Sequence, residues 1–191
     1  IEKKKFKLND CQFSYRSSIF KKSLRNQFII TEVVLQLSKT NHKISKSYNS
    51  IKDAMNKKKI QNPTIKDIAS IVSEIRENKL PNPSLIGNSG SFFKNPIVTI
   101  ELLNKLKKKF SKLVYFKESV SKYKLSAAWL IENCGFKNIE EKNVGVYRNQ
   151  ALVIINLGNA TGKEILLFSK KIKSTVLEKF DILLEEEVNI I

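Results

Sequence analysis

The chain has 191 residues, which allows one large domain or a domain plus part of another. An apolar fraction of 41% supports a packed core and excludes a disordered chain, and two cysteines, Cys11 and Cys134, exclude a disulfide framework. The net charge of +17 invites a nucleic-acid reading, but of the 35 basic residues only four are Arg (Arg16, Arg25, Arg76, Arg148), and the other 31 are Lys. Nucleic-acid readers favour the planar fork of Arg, and Lys, Ile and Asn share A/T-rich codons, so genome base composition explains the excess more simply. A positive field that draws in an anionic substrate survives this argument. No apolar run reaches the length of a membrane span, so no membrane partner and no leader are expected. The chain opens on Ile1 and is read as a piece of a longer polypeptide.

Residues 1–25 are basic, with Phe13-Ser14-Tyr15-Arg16 as a short aromatic motif. Residues 27–37 are β-branched and partly alternating, and predict a strand. Residues 38–62 predict a polar loop with a short helix; His42, the only histidine, falls in it and is expected to be solvated. Thr64, with Asp67 three residues on, opens a helix whose stripe is Ile65, Ile68, Val72 and Ile75, ended by Pro81 and Pro83. Pro96-Ile97-Val98 is extended. Thr99 caps a helix with Leu102, Leu103, Leu106 and Phe110 inward. Ser126 caps another, with Trp129, Leu130 and Cys134 inward and Gly135 as its stop. Val144–Tyr147 and Ala151–Leu157 predict strands. Thr161-Gly162 opens a long helix with Ile165, Phe168, Ile172, Val176 and Phe180 on one side. Residues 182–188 predict a closing strand that carries an acidic triplet. Helices and strands mix without a βαβ rhythm, so the fold class is α+β. The runs Lys57-Lys58-Lys59 and Lys107-Lys108-Lys109 are read as solvated faces, and no metal-ligand cluster is expected.

The stretch Gly87-Asn88-Ser89-Gly90-Ser91-Phe92-Phe93-Lys94-Asn95-Pro96 carries the most chemistry. Two glycines and small residues surround one hydroxyl, and an aromatic pair follows. The pair would anchor the segment and give Ser91 a fixed aim. The stretch also reads as a turn that leads into a strand. It lacks the Gly-Lys-Ser/Thr ending of a phosphate loop and the Gly-x-Ser-x-Gly of a nucleophile elbow.

Four ordered motifs coincide. They are Tyr15-Arg16-x-Ser18-x-Phe20-Lys21; Lys79-Leu80-Pro81-x-Pro83 running into the glycine-rich stretch; Lys124-Leu125-Ser126-Ala127-Ala128-Trp129-Leu130-Ile131-Glu132; and Asn149-Gln150-Ala151-Leu152-Val153 with Leu184-Glu185-x-Glu187-Val188. Together they resemble the UDP-N-acetylenolpyruvoylglucosamine reductase family of peptidoglycan precursor synthesis. The resemblance implies the end of a vanillyl-alcohol-oxidase-like FAD-binding region over 1–62, an α+β substrate-binding domain over 63–180 and a C-terminal strand over 181–191. The N-terminal FAD-binding half lies outside the sequence. It implies FAD and NADPH as cofactors, a UDP-sugar as substrate and a cytoplasmic, monomeric enzyme.

By this resemblance Ser91 is the proton donor, Arg16 stabilises the enolate and Glu187 is the acidic catalytic residue. Glu185 and Glu186 compete with Glu187 on composition, and only the motif chooses between them. The family usually has Pro where Glu186 stands. For the UDP-sugar the resemblance points to Tyr48, Lys79, Asn95 and Gln150. The ungapped position of the family's covering tyrosine is Phe116, so either Tyr115 takes the role after a one-residue shift or the phenol is absent. The competing reading is a basic nucleic-acid or anionic-surface binding domain. It has no use for Ser91 and Glu187 in one cleft.

Overall fold

The computed structural model describes residues 2–44 and 48–191, and the chain divides into two compact units, Ile1–Lys43 and Ile44–Ile191. In the first unit a 3-10 helix, Ile19–Lys21, is the one regular helix among the described residues. Phe6, Phe20 and Phe28 pack edge to face, with centroids 5.1–6.3 Å apart. The strand expected over 27–37 does not form. Ile29 is 90% and Val34 80% exposed, and the backbone bonds with no neighbouring strand. Strand propensity needs a ladder and a face to bury, and the described residues of this unit supply neither.

The second unit opens with α1 (Asn49–Lys57) and α2 (Ile65–Lys79), which pack on each other. Thr64 and Asp67 form a reciprocal capping box at the start of α2, as the spacing predicted. Ile71, 1% exposed, is the centre of the apolar stripe, whereas Ile65 is half exposed. Ile68, Val72 and Ile75 pack against that core as the spacing predicted; Ile65 does not, and Ile71 is added to the stripe.

Two antiparallel sheets follow. Strands β1 (Gly87–Ser91), β5 (Glu140–Glu141), β6 (Val144–Val146) and β7 (Val153–Asn156) run in the order β1-β7-β6-β5. Strands β2 (Ile97–Thr99), β3 (Tyr115–Lys117) and β4 (Lys122–Leu125) run in the order β2-β4-β3. Helices α3 (Ile100–Lys109), α4 (Ala127–Asn133) and α5 (Gly162–Phe180) complete an α+β domain. Thr99, Ser126 and Thr161 cap them as predicted, each accepting an amide three residues on. Leu130, Ile131, Ile172 and Val176, each 0% exposed, join the strands in one core.

The β3–β4 hairpin was not legible in the sequence. Its strands are short and lysine-rich, and their pairing is visible only once formed. The closing strand expected over 182–188 shrinks to a single bridge, Phe93 with Glu186. Ile182 and Leu184 are buried and Leu183 is exposed, so the alternation predicted there is present without a ladder. Among the described residues no helix is long and apolar enough to cross a membrane.

The glycine-rich stretch is itself a strand. It pairs with β7, and its register shifts between Asn88 and Ser91. Gly90 sits there at φ +72°, and a Cβ at Gly90 would meet no atom within 4 Å. The constraint is therefore conformational and not steric. Gly90→Ala should cost about 1–2 kcal/mol in urea unfolding. Gly90→Asn should cost less, because Asn tolerates the left-handed region. Equal losses would show that some other property of glycine matters here.

Candidate active site

Ser91 owes its position to its neighbours. Asn88 Oδ1 accepts the Gly90 amide at 3.0 Å, and its Nδ2 donates to the Ile86 carbonyl at 2.9 Å, which locks the bulge from one side chain. Directly after Ser91, Phe92 and Phe93 are buried, 4% and 1% exposed, with ring centroids 5.1 Å apart. Phe92 donates its amide to the Leu152 carbonyl at 2.8 Å and accepts the Glu187 amide at 2.8 Å. Lys94 donates its amide to the Glu185 carbonyl at 2.9 Å. The register opposes Phe92 to Glu187 and Phe93 to Glu186, so Glu187 is bonded to the residue that follows Ser91, and Ser91 and Glu187 are both half-buried. The ladder donors are residues 94 and 187. Residue 186 lies between them at a non-hydrogen-bonded position, where a proline fits and where Glu costs the pairing nothing.

The acidic triplet is sorted by two lysines. Lys94 Nζ meets Glu185 Oε1 at 2.7 Å. Lys173 Nζ, from α5, meets both carboxylate oxygens of Glu186 at 2.8 and 2.9 Å. Burial pushes the Glu186 carboxyl up, but the bond from Lys173, the residue's own amide and the charges of Lys173 and Lys170 outweigh it, so it lies below the ordinary value of 4.5.

The residues expected for the UDP-sugar separate into two places and a third apart. Lys79 ends α2, and Asn149 Nδ2 donates to the Asn78 carbonyl at 2.9 Å, so the turn that bears Gln150 is tied to the helix end that bears Lys79. Tyr48 is the N-cap residue of α1, 67% exposed. The length of α1 and the second half of α2 share an open groove of about 570 Å³, lined among others by Ser50, Asp53, Lys57, Lys58, Glu74 and Asn78. Tyr48 precedes α1 and Lys79 ends α2, and neither they nor Gln150 line the groove.

Asn95 is four residues from Ser91. Its Oδ1 accepts the Ala127 amide at 2.9 Å, a second cap on α4 beside that of Ser126. The group it can offer a ligand is its Nδ2 donor.

Tyr115 stands apart. Its hydroxyl lies 3.1 Å from Lys107 Nζ, the same lysine sits 5.0 Å from its ring centroid, and Tyr123 packs edge-on at 6.1 Å. Lys107 is thus not simply part of a solvated face. Phe116 pairs with Lys124 and lies on the opposite face of the strand. A one-residue shift between the two exchanges faces and is not a small adjustment.

Arg16 belongs to the first unit. It occupies the left-handed region at φ 52°, in a tight turn closed by the Ser14 and Ser17 backbones at 3.0 and 3.1 Å. Its guanidinium carbon is 5.7 Å from the Tyr15 ring centroid. A non-glycine residue there costs about 1–3 kcal/mol, a cost that recurs at functional positions. His42 is exposed, with Nε2 3.0 Å from the Ser38 carbonyl. Sequence reasoning missed Asn88, Asn149 and Lys173; each acts on a segment that only folding brings near.

By fold the second unit holds an α+β domain, and its sequence matches a domain family. The profile of the family described as "UDP-N-acetylenolpyruvoylglucosamine reductase, C-terminal domain" matches residues 82–191. The chain is 48% identical over 190 residues to the UDP-N-acetylenolpyruvoylglucosamine reductase of Flavobacterium johnsoniae, covering 100% of this chain and 56% of that protein. It is 44% identical over 188 residues to the enzyme of the same name from Amoebophilus asiaticus, covering 98% and 55%. The solved reductase (MurB) of Thermus caldophilus aligns at 20% identity and a TM-score of 0.40, over 65% of this chain and 33% of that one, a likeness too slight to carry an argument. The chain belongs to the UDP-N-acetylenolpyruvoylglucosamine reductase family. It spans about half the length of the curated relatives it matches.

The Glu186 carboxylate binds fewer protons in the folded chain than in the unfolded one, so its contribution to stability is present above about pH 4.5 and is lost as pH falls through the lowered folded value. The stability difference between the protein and Glu186→Gln should therefore narrow below pH 4.5 in denaturant titrations. A gap that stays constant from neutral pH to pH 3 would contradict the pairing with Lys173.

Proposed function

We propose that this chain is the substrate-binding part of an NADPH- and FAD-dependent reductase that converts UDP-N-acetylglucosamine enolpyruvate to UDP-N-acetylmuramate, a peptidoglycan precursor. Family membership and the backbone bond that ties Glu187 to Phe92, the residue after Ser91, support this reading. The pairing is the observation that carries it. Residues 1–62 would close the flavin-binding region, 63–180 hold the substrate and 181–191 deliver Glu187. This division is by role; the packing division falls at Lys43 and Ile44. Further flavin contacts belong to the part of the relatives that this chain does not span. The proposed setting is the cytoplasm, where the nucleotide substrate and NADPH occur.

A hydroxyl and a carboxyl on two paired segments fit a reaction that adds a hydride and a proton across a double bond. Bound FAD, reduced by NADPH, supplies the hydride. Hydride added to the terminal carbon of the enol ether would leave the negative charge on the carbon that bears the carboxylate, spread over its oxygens as an enolate, and the residues of this chain answer that charge. Arg16 would pair with the oxygens, because its guanidinium stays charged and bridges two oxygens at once. Ser91 would give its proton to the remaining carbon. A serine is a weak acid, but an enolate is a strong base, and a fixed donor within hydrogen-bond reach suffices. Glu187 would hold or donate a proton next to Ser91. Lys79, Gln150, Tyr48 and the Nδ2 of Asn95 would grip the nucleotide and sugar, with Tyr115 as the covering phenol. Lys79 contributes charge to a diphosphate, and the amides and phenols contribute direction.

In the full-length polypeptide Ser91→Ala should leave flavin reduction by NADPH unchanged and slow flavin reoxidation by the UDP-sugar enol ether by roughly 10²-fold or more. Stopped-flow flavin absorbance reads both steps, and equal slowing of the two contradicts the role. Lys79→Ala should raise KM for the UDP-sugar more than it lowers kcat, the pattern of a contact made throughout the reaction. An unchanged KM removes Lys79 from the site.

A further inference from the structure

We infer that Asn149 is a positioning residue for the UDP-sugar: its side chain holds the end of α2, and with it Lys79, at a set distance from Gln150. This rests on the assignment of Lys79 and Gln150 to the substrate. The need for such a tie follows from how the second unit packs. Helices α1 and α2 have an apolar cluster of their own, Ile51, Met55 and Ile71, with Ile68, Val72 and Ile75 packed against it. None of these side chains belongs to the main core, which begins at Phe92. A helix pair that shares no apolar core with its neighbours is free to shift against them, because shared burial is what fixes one element on another. The chain leaves α2 through Leu80 and the buried Pro81, and one covalent connection still lets the helix end turn about it. Lys79 is the last residue of α2, so its ammonium goes where that end goes.

Among the described residues one side-chain hydrogen bond joins α1 and α2 to the remainder of the second unit: Asn149 Nδ2 donates to the Asn78 carbonyl at 2.9 Å. Both ends of that bond are suited to the task. The Leu80 amide takes the Arg76 carbonyl at 2.8 Å, and the carbonyls that follow it have no donor within the helix, so Asn78 needs an outside partner. On the other side, three backbone bonds close the turn that bears Asn149. Tyr147 N–H meets the Val153 carbonyl at 2.9 Å, Gln150 N–H the Tyr147 carbonyl at 3.1 Å, and Val153 N–H the Gln150 carbonyl at 3.0 Å. Val146 and Val153, on the strands that flank the turn, are 1% and 0% exposed. The core therefore fixes the turn, and the turn fixes the helix end. Each partner of the bond is followed in the chain by a substrate residue, Asn78 by Lys79 and Asn149 by Gln150. A cation and an amide on elements with separate cores grip one ligand well when their spacing is set beforehand; otherwise binding itself must order them, at a loss of affinity. Asn149 sets that spacing without touching the ligand.

The test uses the full-length polypeptide and measures kcat and KM for the UDP-sugar enol ether in Asn149→Ala, Lys79→Ala, Gln150→Ala and the two double variants that contain Asn149→Ala. The bond lies at the surface, so its loss should leave the fold intact, raise KM by roughly threefold to tenfold and change kcat by less than about twofold. On top of Lys79→Ala the same substitution should raise KM by less than about twofold, because no ammonium is left to position. On top of Gln150→Ala it should keep its full effect, because backbone bonds hold the turn. Hydrogen exchange at the Leu80 amide, followed without substrate, should quicken by roughly threefold to tenfold in Asn149→Ala and stay unchanged in Lys79→Ala. Unchanged KM or unchanged exchange in Asn149→Ala overturns the inference. So does a full effect on top of Lys79→Ala, the mark of a direct substrate contact or a general loss of structure. Failure of the underlying reading looks different: Lys79→Ala itself would then leave KM unchanged, which removes the inference with it even where exchange at Leu80 responds to Asn149.

Discussion

Phe92 commits its two backbone groups to different partners, the amide to Leu152 and the carbonyl to Glu187. Ser91 precedes that residue in the chain, and Glu187 is bonded to it. The ring of Phe92 and that of Phe93 are in the core, and each is worth about 1.5–3 kcal/mol by burial, against about 0.5–1.5 kcal/mol for a backbone hydrogen bond. The rings therefore hold the segment in place, and the hydrogen bonds decide what lies on either side. The bulge locked by Asn88 does the rest by setting how Ser91 leaves the strand.

The excess of lysine looks different with the side chains in view. Lys94, Lys173, Lys58 and Lys107 each have a specific partner, two of them in the acidic tail, one in α2 and one a tyrosine. Part of the positive charge is thus structural. The remainder suits a diphosphate substrate, since a field of one sign raises the local concentration of the opposite ion. Within that field Lys94 and Lys173 take the first two of three consecutive glutamates.

What could be read in advance was what the chain encodes locally. Thr64 with Asp67 and Thr161 with Glu164 announce their helices within four residues, and both boxes form. Cys134 and Gly135 end α4 as read, with Gly135 at φ +84°. Pairings between distant segments were not readable. Residues 27–37 carry strand propensity without a partner, while Tyr115–Lys117 and Lys122–Leu125 carry little and form a hairpin because each supplies the other's partner. That the segments of Ser91 and Glu187 pair was not readable from either alone, and the contacts of Lys173 and Asn149 were not available at all. Neither lysine at a helix surface nor asparagine in a turn differs, as a letter, from many others in this chain.

The turn at Arg16 has a consequence for how such a protein can vary. A residue held at φ 52° would sit more comfortably as glycine or asparagine. Selection for heat tolerance alone would therefore favour the loss of its guanidinium. The backbone and the side chain pull in opposite directions at this one position. A lineage that keeps arginine there keeps it against the preference of its own main chain, and variants recovered from a purely thermal screen should be checked first at this site for silent loss of turnover.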